Sequence, residues 1–220
     1  MGLYIQDVKR YFGLNNLDEK IEKYCDFDGG YFVELGANNG IHQSNTLYFE
    51  RYRNWKGLLV EPTLHNYLAC RQNRSRQTHL FCNACVSFDY KDKFVEIIYS
   101  NLMTISVGLE SDIACPKEHA AEGKRFLGQF EENVTFGAIA RPLNDLLIEA
   151  GSPYSIDLLS LDVEGAEIEV LKGINHDKFK FRYMVIESRS FDKLKAYLES
   201  NGYQYLDRLS DWDYLFKLAI

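Results

Sequence analysis

Three groups of residues in this 220-residue chain have the types and spacing to do chemistry. The run Glu34-Leu35-Gly36-Ala37-Asn38-Asn39-Gly40 joins an acid to two glycines and two asparagines. Glycine lets a backbone approach a ligand and adopt positive φ, and asparagine is among the side chains that tolerate left-handed geometry best. Such a loop can wrap a small ligand; it can equally be an ordinary tight turn. It is not the G-x-G-x-x-G of dinucleotide enzymes, because no glycine between Gly36 and Gly40 falls at the second or third fingerprint position. Glu61, in LLVEP, forms the second group: a carboxylate at a strand end can accept hydrogen bonds from both hydroxyls of a ribose, or simply face solvent. Asp162 and Glu164 in LDVEGAE, with Glu187 in VIES, form the third. A carboxylate at the mouth of a crevice can orient or deprotonate a hydroxyl. Two acids facing one site can split roles as base and hydrogen-bond acceptor, or hold a divalent cation through oxygen ligands. The sequence does not choose between these. Glu167 and Glu169 are explained by the dipole at a helix start, and Glu164 can share that explanation. His42 and His119 are each open to a base role near neutral pH or to a solvated or packing role.

The elements that must position these groups alternate. The first thirty residues carry two short helical patterns, Tyr4 to Tyr11 and Leu17 to Tyr24, expected to cap a sheet. YFVEL reads as a strand, GANNG as a tight loop, and Tyr48, Tyr52 and Trp55 recur at helical spacing. GLLVEP is a short buried strand, Leu64 to Gln72 a helix, and THLFCNACVS a third strand. Farther on, IDLLSLDVEG and YMVIES read as strands, each followed by a helix marked by apolar residues: Ala166, Val170, Leu171 and Ile174, then Phe191, Leu194 and Leu198. Strand and helix in alternation specify a parallel sheet with helices on both faces. The closing YQYLDRL and DYLFKL are joined by Ser210-Asp211-Trp212, too short for anything but an antiparallel pair. Between Phe88 and Pro142 the pattern loosens: FVEIIYS and VTFGAIA read as strands, PKEHAAEGKRFLGQFEE as an amphipathic helix and LNDLLIEAG as another helix. One domain over 1–220 is expected, with 1–30 as a cap and 88–141 as an insertion forming the acceptor side of the crevice.

A glycine-asparagine loop on one strand and a ribose-type acid on its neighbour describe a ligand that contains a nucleoside, held by a loop not built for a pyrophosphate. S-adenosyl-L-methionine meets that description. At FVELGANNGIHQSNTLYFE, GLLVEP, LLSLDVEGAEIEVLKGI and VIES the sequence resembles the FkbM family of class I S-adenosylmethionine-dependent methyltransferases, from roughly Gly30 to Glu187. LDVEGAE after a strand is the most specific of these segments. Asn38 stands where most of the superfamily has glycine, and FkbM-like proteins often have asparagine there. The resemblance implies an α/β, Rossmann-like fold with a mainly parallel seven-stranded sheet and a C-terminal antiparallel hairpin. It also implies that Glu34 holds the methionine amino end indirectly and that Gly36, Ala37, Asn38 and Gly40 line the cofactor's backbone. Glu61, with Pro62, takes the ribose; adenine lies near Ala84; Asp162 borders the cofactor as well as the acceptor. Ser44 is balanced between the cofactor carboxylate and a helix N-cap.

Composition narrows the partners. A net charge of −7 argues against tight non-specific binding to nucleic acid, which needs a surplus of Lys and Arg on one face. No stretch approaches the roughly 20 apolar residues of a membrane span, and MGLYIQDVKRYFG lacks the order of a signal peptide. Five cysteines, an odd total, read as reduced thiols of a cytoplasmic protein. Cys82 and Cys85, three apart in a strand, would point to opposite faces, so joint metal ligation is not expected.

The function expected from the resemblance is methyl transfer from S-adenosylmethionine to a hydroxyl of a sugar, glycoconjugate or related natural product. Asp162, Glu187 and Glu164 are the candidate catalytic acids. Two alternatives stand beside it: a nucleic-acid or other small-molecule methyltransferase, and a non-catalytic cofactor-binding partner subunit. The acceptor, any divalent cation, and the oligomeric state, a homo-oligomer included, stay open.

Overall fold

A computed structural model of the chain describes residues 10–219. Apart from Arg10 and Tyr11, which have no regular structure, the first expected helical pattern lies outside the described residues. Along the chain come α1 (Leu17–Glu22), β1 (Tyr31–Leu35), α2 (Leu47–Tyr52), β2 (Lys56–Val60), α3 (Leu64–Asn73) and β3 (His79–Phe81). The middle of the chain holds β4 (Ala84–Cys85), β5 (Phe94–Tyr99), β6 (Ile105–Val107), α4 (Pro116–Glu122) and β7 (Val134–Arg141). The remainder is α5 (Leu143–Glu149), β8 (Ser155–Leu161), α6 (Glu167–Leu171), β9 (Lys180–Glu187), α7 (Phe191–Ser200), β10 (Tyr203–Arg208) and β11 (Asp213–Leu218).

Seven strands form one sheet in the order β3-β2-β1-β8-β9-β11-β10. β11 alone runs against the rest, pairing antiparallel with both β9 and β10. The hairpin between β10 and β11 forces that reversal, and the sheet is otherwise parallel, the α/β class I methyltransferase-like architecture implied by the sequence. Both faces are covered, so both sets of alternating side chains are apolar. Val33, Leu35, Leu159 and Met184 pack with Leu146 of α5, Leu171 of α6 and Leu194 of α7. Phe32, Leu59, Leu158 and Leu215 pack on the opposite face with Ile21 of α1, Phe49 of α2 and Cys70 of α3.

A second, four-stranded sheet has the order β4-β7-β5-β6. Here the structure departs from the sequence reading. THLFCNACVS is not one strand: it stops at Phe81, and Ala84 and Cys85 pair with Ala140 and Arg141 of β7. The first sheet has nothing more to offer at that point, because Val60 is the last residue of β2 opposite Phe81 and Pro62 has no N–H to extend the ladder. Trp55 lies beyond α2, where its indole donates to Phe27 O at 2.8 Å. The expected long amphipathic helix stops at Glu122 and continues as a 3-10 turn, Gly123–Phe126.

Candidate active site

Strand ends β1, β2 and β8 lie side by side, and short-range contacts fix the loops that leave them. Gly36 has φ +79°, and a Cβ there would lie 1.9 Å from Asp162 O, so this glycine is demanded by the close approach of the β1 and β8 ends. Asn38 is left-handed at φ 45°, and its N–H donates to Glu61 Oε2 at 2.9 Å. Glu61 Oε1 accepts from Thr63 N at 2.8 Å. Each Glu61 oxygen thus holds one backbone N–H and retains a lone pair for another donor. Burial pushes the Glu61 carboxyl above its ordinary pKa, against the pull of those N–H groups.

Glu34 does not line the cleft. Its carboxylate accepts from Asn45 N (2.9 Å), Thr46 Oγ1 (2.6 Å) and Ser44 Oγ (3.0 Å), and pairs with Arg74 Nη1 at 3.2 Å. Ser44 Oγ in turn accepts from Leu47 N at 3.1 Å, but the N-cap of α2 is Thr46, so Ser44 lies two residues ahead of the expected capping position. Ala37 is buried in the core, and Gly40 packs against Cys70 and Arg74 of the α3 segment. These residues give the loop its shape from beneath. Nothing in the spacing pointed to Arg74; the need for a cation beside an acid in an apolar strand was the available signal.

The third group converges at the ends of β8 and β9. Asp162 keeps more than a third of its surface open although protein surrounds it, because it forms part of the cleft floor. Its carboxyl is pushed well above the ordinary range, first by burial and then by the charge of Glu187 and of Glu164. Glu187 is pushed up to about 7 by burial, Glu164 and Asp213, while Arg189 and a hydrogen bond with Asp162 pull the other way. Two adjacent carboxyls of this kind share a proton. Glu164, left-handed at φ 56°, lies between Arg189 Nη2 at 3.3 Å and His119 Nε2 at 2.9 Å, the latter off line for a straight hydrogen bond. Glu167 and Glu169 lie in the first turn of α6 as expected, and Glu167 is in addition buried: it accepts from Val163 N (3.2 Å) and Gly165 N (3.0 Å), and burial pushes it up to about 8. Glu169 likewise accepts from Ser87 N and Oγ. Asp112, unforeseen from sequence, accepts from Ser188 Oγ, Arg189 N and Ser190 N, tying the middle of the chain to the end of β9.

Gly36, Asn38, Glu61, Pro62, Ala84, Asp162 and Glu164 line one cleft with about 900 Å³ of empty space, part of it open to solvent. Glu187 stands behind Asp162. Sequence reasoning missed the roof: Ile97, Thr104, Ser106 and Leu109, from the second sheet and its connections. His42 is at the cleft edge, whereas His119 reaches it only through Glu164.

The family description "Methyltransferase FkbM domain" matches residues 34–205. The chain belongs to the FkbM methyltransferase family. FkbM methyltransferases are S-adenosylmethionine-dependent, and the cleft fits that cofactor. Ala84, Ile97, Leu109 and Val163 give the cleft an apolar lining compatible with a flat base, and Ser106, also in the lining, has a buried hydroxyl with no partner among the described residues. Glu61 has acceptor capacity for ribose hydroxyls. Among the described residues no three His, Cys, Asp or Glu side chains group as for a metal ion, so no step is routed through one.

No curated protein matches the chain. Among solved structures it is similar to PH1948 of Pyrococcus horikoshii, provisionally named an RNA methyltransferase, at 10% identity and TM-score 0.46, covering 94% of this chain and 82% of that one. TrmK of M. capricolum, solved with S-adenosylhomocysteine, is similar at 10% identity and TM-score 0.46, covering 91% and 65%. A Clostridium acetobutylicum S-adenosylmethionine-dependent methyltransferase is similar at 10% identity and TM-score 0.42, covering 98% and 94%. At these values the likenesses add nothing to the choice of acceptor.

Proposed function

We propose that this FkbM methyltransferase is an O-methyltransferase acting on a hydroxyl of a sugar, glycoconjugate or related natural product. The observation that carries the reading is Asp162 on the cleft floor beside Glu187 at the end of β9: burial and the charges of Glu187 and Glu164 raise the Asp162 carboxyl, and burial, Glu164 and Asp213 push Glu187 up to about 7. S-adenosylmethionine, when bound, supplies an electrophilic methyl group together with its own leaving group. What this chain must add is orientation, exclusion of water and removal of a proton. Orientation contributes on the order of 7–11 kcal/mol in favourable cases, and a placed base about 10²–10⁴ in rate. Glu61 takes the ribose hydroxyls, Gly36 and Asn38 border the methionine part, and Pro62 and Ala84 border ribose and adenine. Glu34 and Ser44 act from below by fixing the loop, with Ala37 and Gly40 in the same support. Asp162, in its ionised share of the pair, accepts the acceptor's hydroxyl proton; Glu187 tunes it, and Glu164 orients the acceptor from between His119 and Arg189. The segment 88–141 forms the acceptor side.

Among the described residues no Lys or Arg side chain lines the cleft, which with the net charge of −7 favours a hydroxyl acceptor over a nucleic-acid strand. The five cysteines are unpaired, which supports a reducing, cytoplasmic setting. No helix among the described residues is long and apolar enough to cross a membrane. The test is calorimetry with S-adenosylhomocysteine followed by methyl transfer to a panel of saccharides and small alcohols, read by mass as a gain of one methyl group. Transfer to RNA with none to any hydroxyl in the panel refutes the acceptor reading.

A further inference from the structure

A second groove opens beside the cofactor cleft, between α3 and the segment from Asn101 to Glu131, with about 760 Å³ of empty space including open solvent. The room it leaves for water-sized molecules, about 390 Å³, falls in the range of roughly 300–1,000 Å³ typical of small-molecule sites. The two spaces adjoin: Asn38, His42, Asn101 and Leu102 line both, and His42 stands between them.

The groove's walls are fixed in advance. Glu131 accepts from Tyr99 Oη (2.8 Å), Asn101 Nδ2 (3.1 Å) and Gly128 N (2.7 Å). His65 stands edge-on to Tyr99, ring centroids 4.7 Å apart. Asn39 is held by Asn73 Nδ2, which donates to its carbonyl at 2.8 Å, while its own Oδ1 accepts from Ile41 N and His42 N. Asn38, Asn39, Asn101, His42 and His65 all line the groove, and these contacts leave over the Nδ2 groups of Asn38 and Asn39, the Oδ1 of Asn101 and the two imidazoles. None of these atoms has a hydrogen-bond partner among the described residues. Phe126 adds a ring, 39% exposed, with Arg125 stacked 4.8 Å from its centroid.

Planar amides and imidazoles offer donors and acceptors side by side, and an aromatic face takes the C–H side of a ring. Among the described residues the lining holds no Lys or Arg, Arg125 being engaged on the Phe126 ring at the groove's edge, and its one carboxylate accepts three donors and stands 3.9 Å from His65 Nε2. We infer that this groove binds the non-reacting part of the acceptor, and that this part is a neutral polyhydroxylated ring and not a phosphorylated or otherwise anionic one. The inference rests on the O-methyltransferase reading and adds to it where the acceptor lies and what charge it carries.

The test uses saturation-transfer NMR on the full chain loaded with S-adenosylhomocysteine. The probes are neutral methyl glycosides and neutral oligosaccharides, compared with glucose 6-phosphate and glucuronate. Neutral glycosides are expected to receive saturation and the anionic sugars not; preference between single rings and oligosaccharides distinguishes a free sugar from a glycan chain. In Phe126→Ala the affinity is expected to fall about 3–10-fold, the range for losing one aromatic stack, and His65→Ala should weaken the same probes. S-adenosylhomocysteine affinity, measured by calorimetry, should be unchanged in both variants and reports that they fold. Equal or better binding of the anionic sugars, binding indifferent to both substitutions, or no neutral probe bound by the loaded protein overturns the inference. Failure of the parent chain to bind S-adenosylhomocysteine overturns instead the cofactor reading beneath it.

Discussion

The N–H of Asn38 donates to Glu61 Oε2 at 2.9 Å, so the loop after β1 and the tip of β2 behave as one unit. Glu61 therefore braces the loop, and the proposed ribose role would use its remaining lone pairs. Glu61→Ala is expected to weaken S-adenosylhomocysteine binding about 10–100-fold, the loss of one or two hydrogen bonds to a charged acceptor. Glu61→Gln keeps the shape and should fall between the two. Calorimetry on both variants decides; undiminished binding in Glu61→Ala refutes the ribose role.

The Glu34–Arg74 pair is sealed from water on both sides. Removing one partner strands the other charge in the interior, so Arg74→Met should cost about 3–5 kcal/mol of stability. Arg74 Nε also pairs with Glu50 at 3.2 Å, so the double variant Glu34→Gln with Arg74→Met should recover the share of that loss due to Glu34 and keep the share due to Glu50. Urea unfolding of the three variants measures the coupling.

Gly36→Ala places a methyl group against Asp162 O, at 1.9 Å in the present geometry, and asks alanine to hold φ +79°. Backbone atoms on both sides leave no flexible neighbour to yield. The strain alone is worth about 1–3 kcal/mol, and the clash adds to it. A drop in melting temperature together with weakened S-adenosylhomocysteine binding is expected, because the strand ends must separate.

Glu167 and Glu187 hold their protons to about pH 8 and about pH 7 in the folded chain, above the ordinary glutamate value of 4.5. Between 4.5 and 8 the folded state therefore binds more protons than the unfolded one, and the contribution of these groups makes stability fall as pH rises. Glu167→Gln should flatten that decline, as should Glu187→Gln over the lower part of the window. Denaturant melts at about pH 5 and about pH 8 give the slope.

With Asp162 as base, kcat/KM should rise with pH through a limb near the pKa of about 7 assigned to Glu187, its proton-sharing neighbour. Asp162→Asn is expected to lower kcat by about 10²–10⁴ while retaining S-adenosylhomocysteine binding. Glu187→Gln removes a like charge beside Asp162, so the limb should move to lower pH. A limb that stays in place in Glu187→Gln assigns the proton elsewhere.

Much of this site was legible because its logic is local. Gly36, Asn38, Glu61 and Asp162 each lie within two or three residues of a strand end, where an apolar run meets a turn former or an acid, and strand ends of a parallel sheet gather at one edge. The hairpin was legible for the same reason, its connection being too short for any other outcome. What stayed hidden depends on partners far along the chain. Arg74 meets Glu34 across forty positions, and no local pattern marks it. β4 looked like a continuation of β3 because both are apolar; only the exhaustion of β2 at Pro62 and the distant β7 ladder break them apart. Glu167 looked like a helix-start acid, and its burial beneath the β8–α6 turn depends on how that turn folds back.

The crossing of the chain at Cys82 and Asn83, from one sheet to the other, has a mechanical corollary. Ala84, proposed to border adenine, also lies on the seam along which the two sheets are sewn together, so a base lodged there would rivet them. Occupancy should accordingly stiffen the molecule as a whole, protecting amides of β5 and β7 from hydrogen exchange as strongly as those of the loop that grips the ligand.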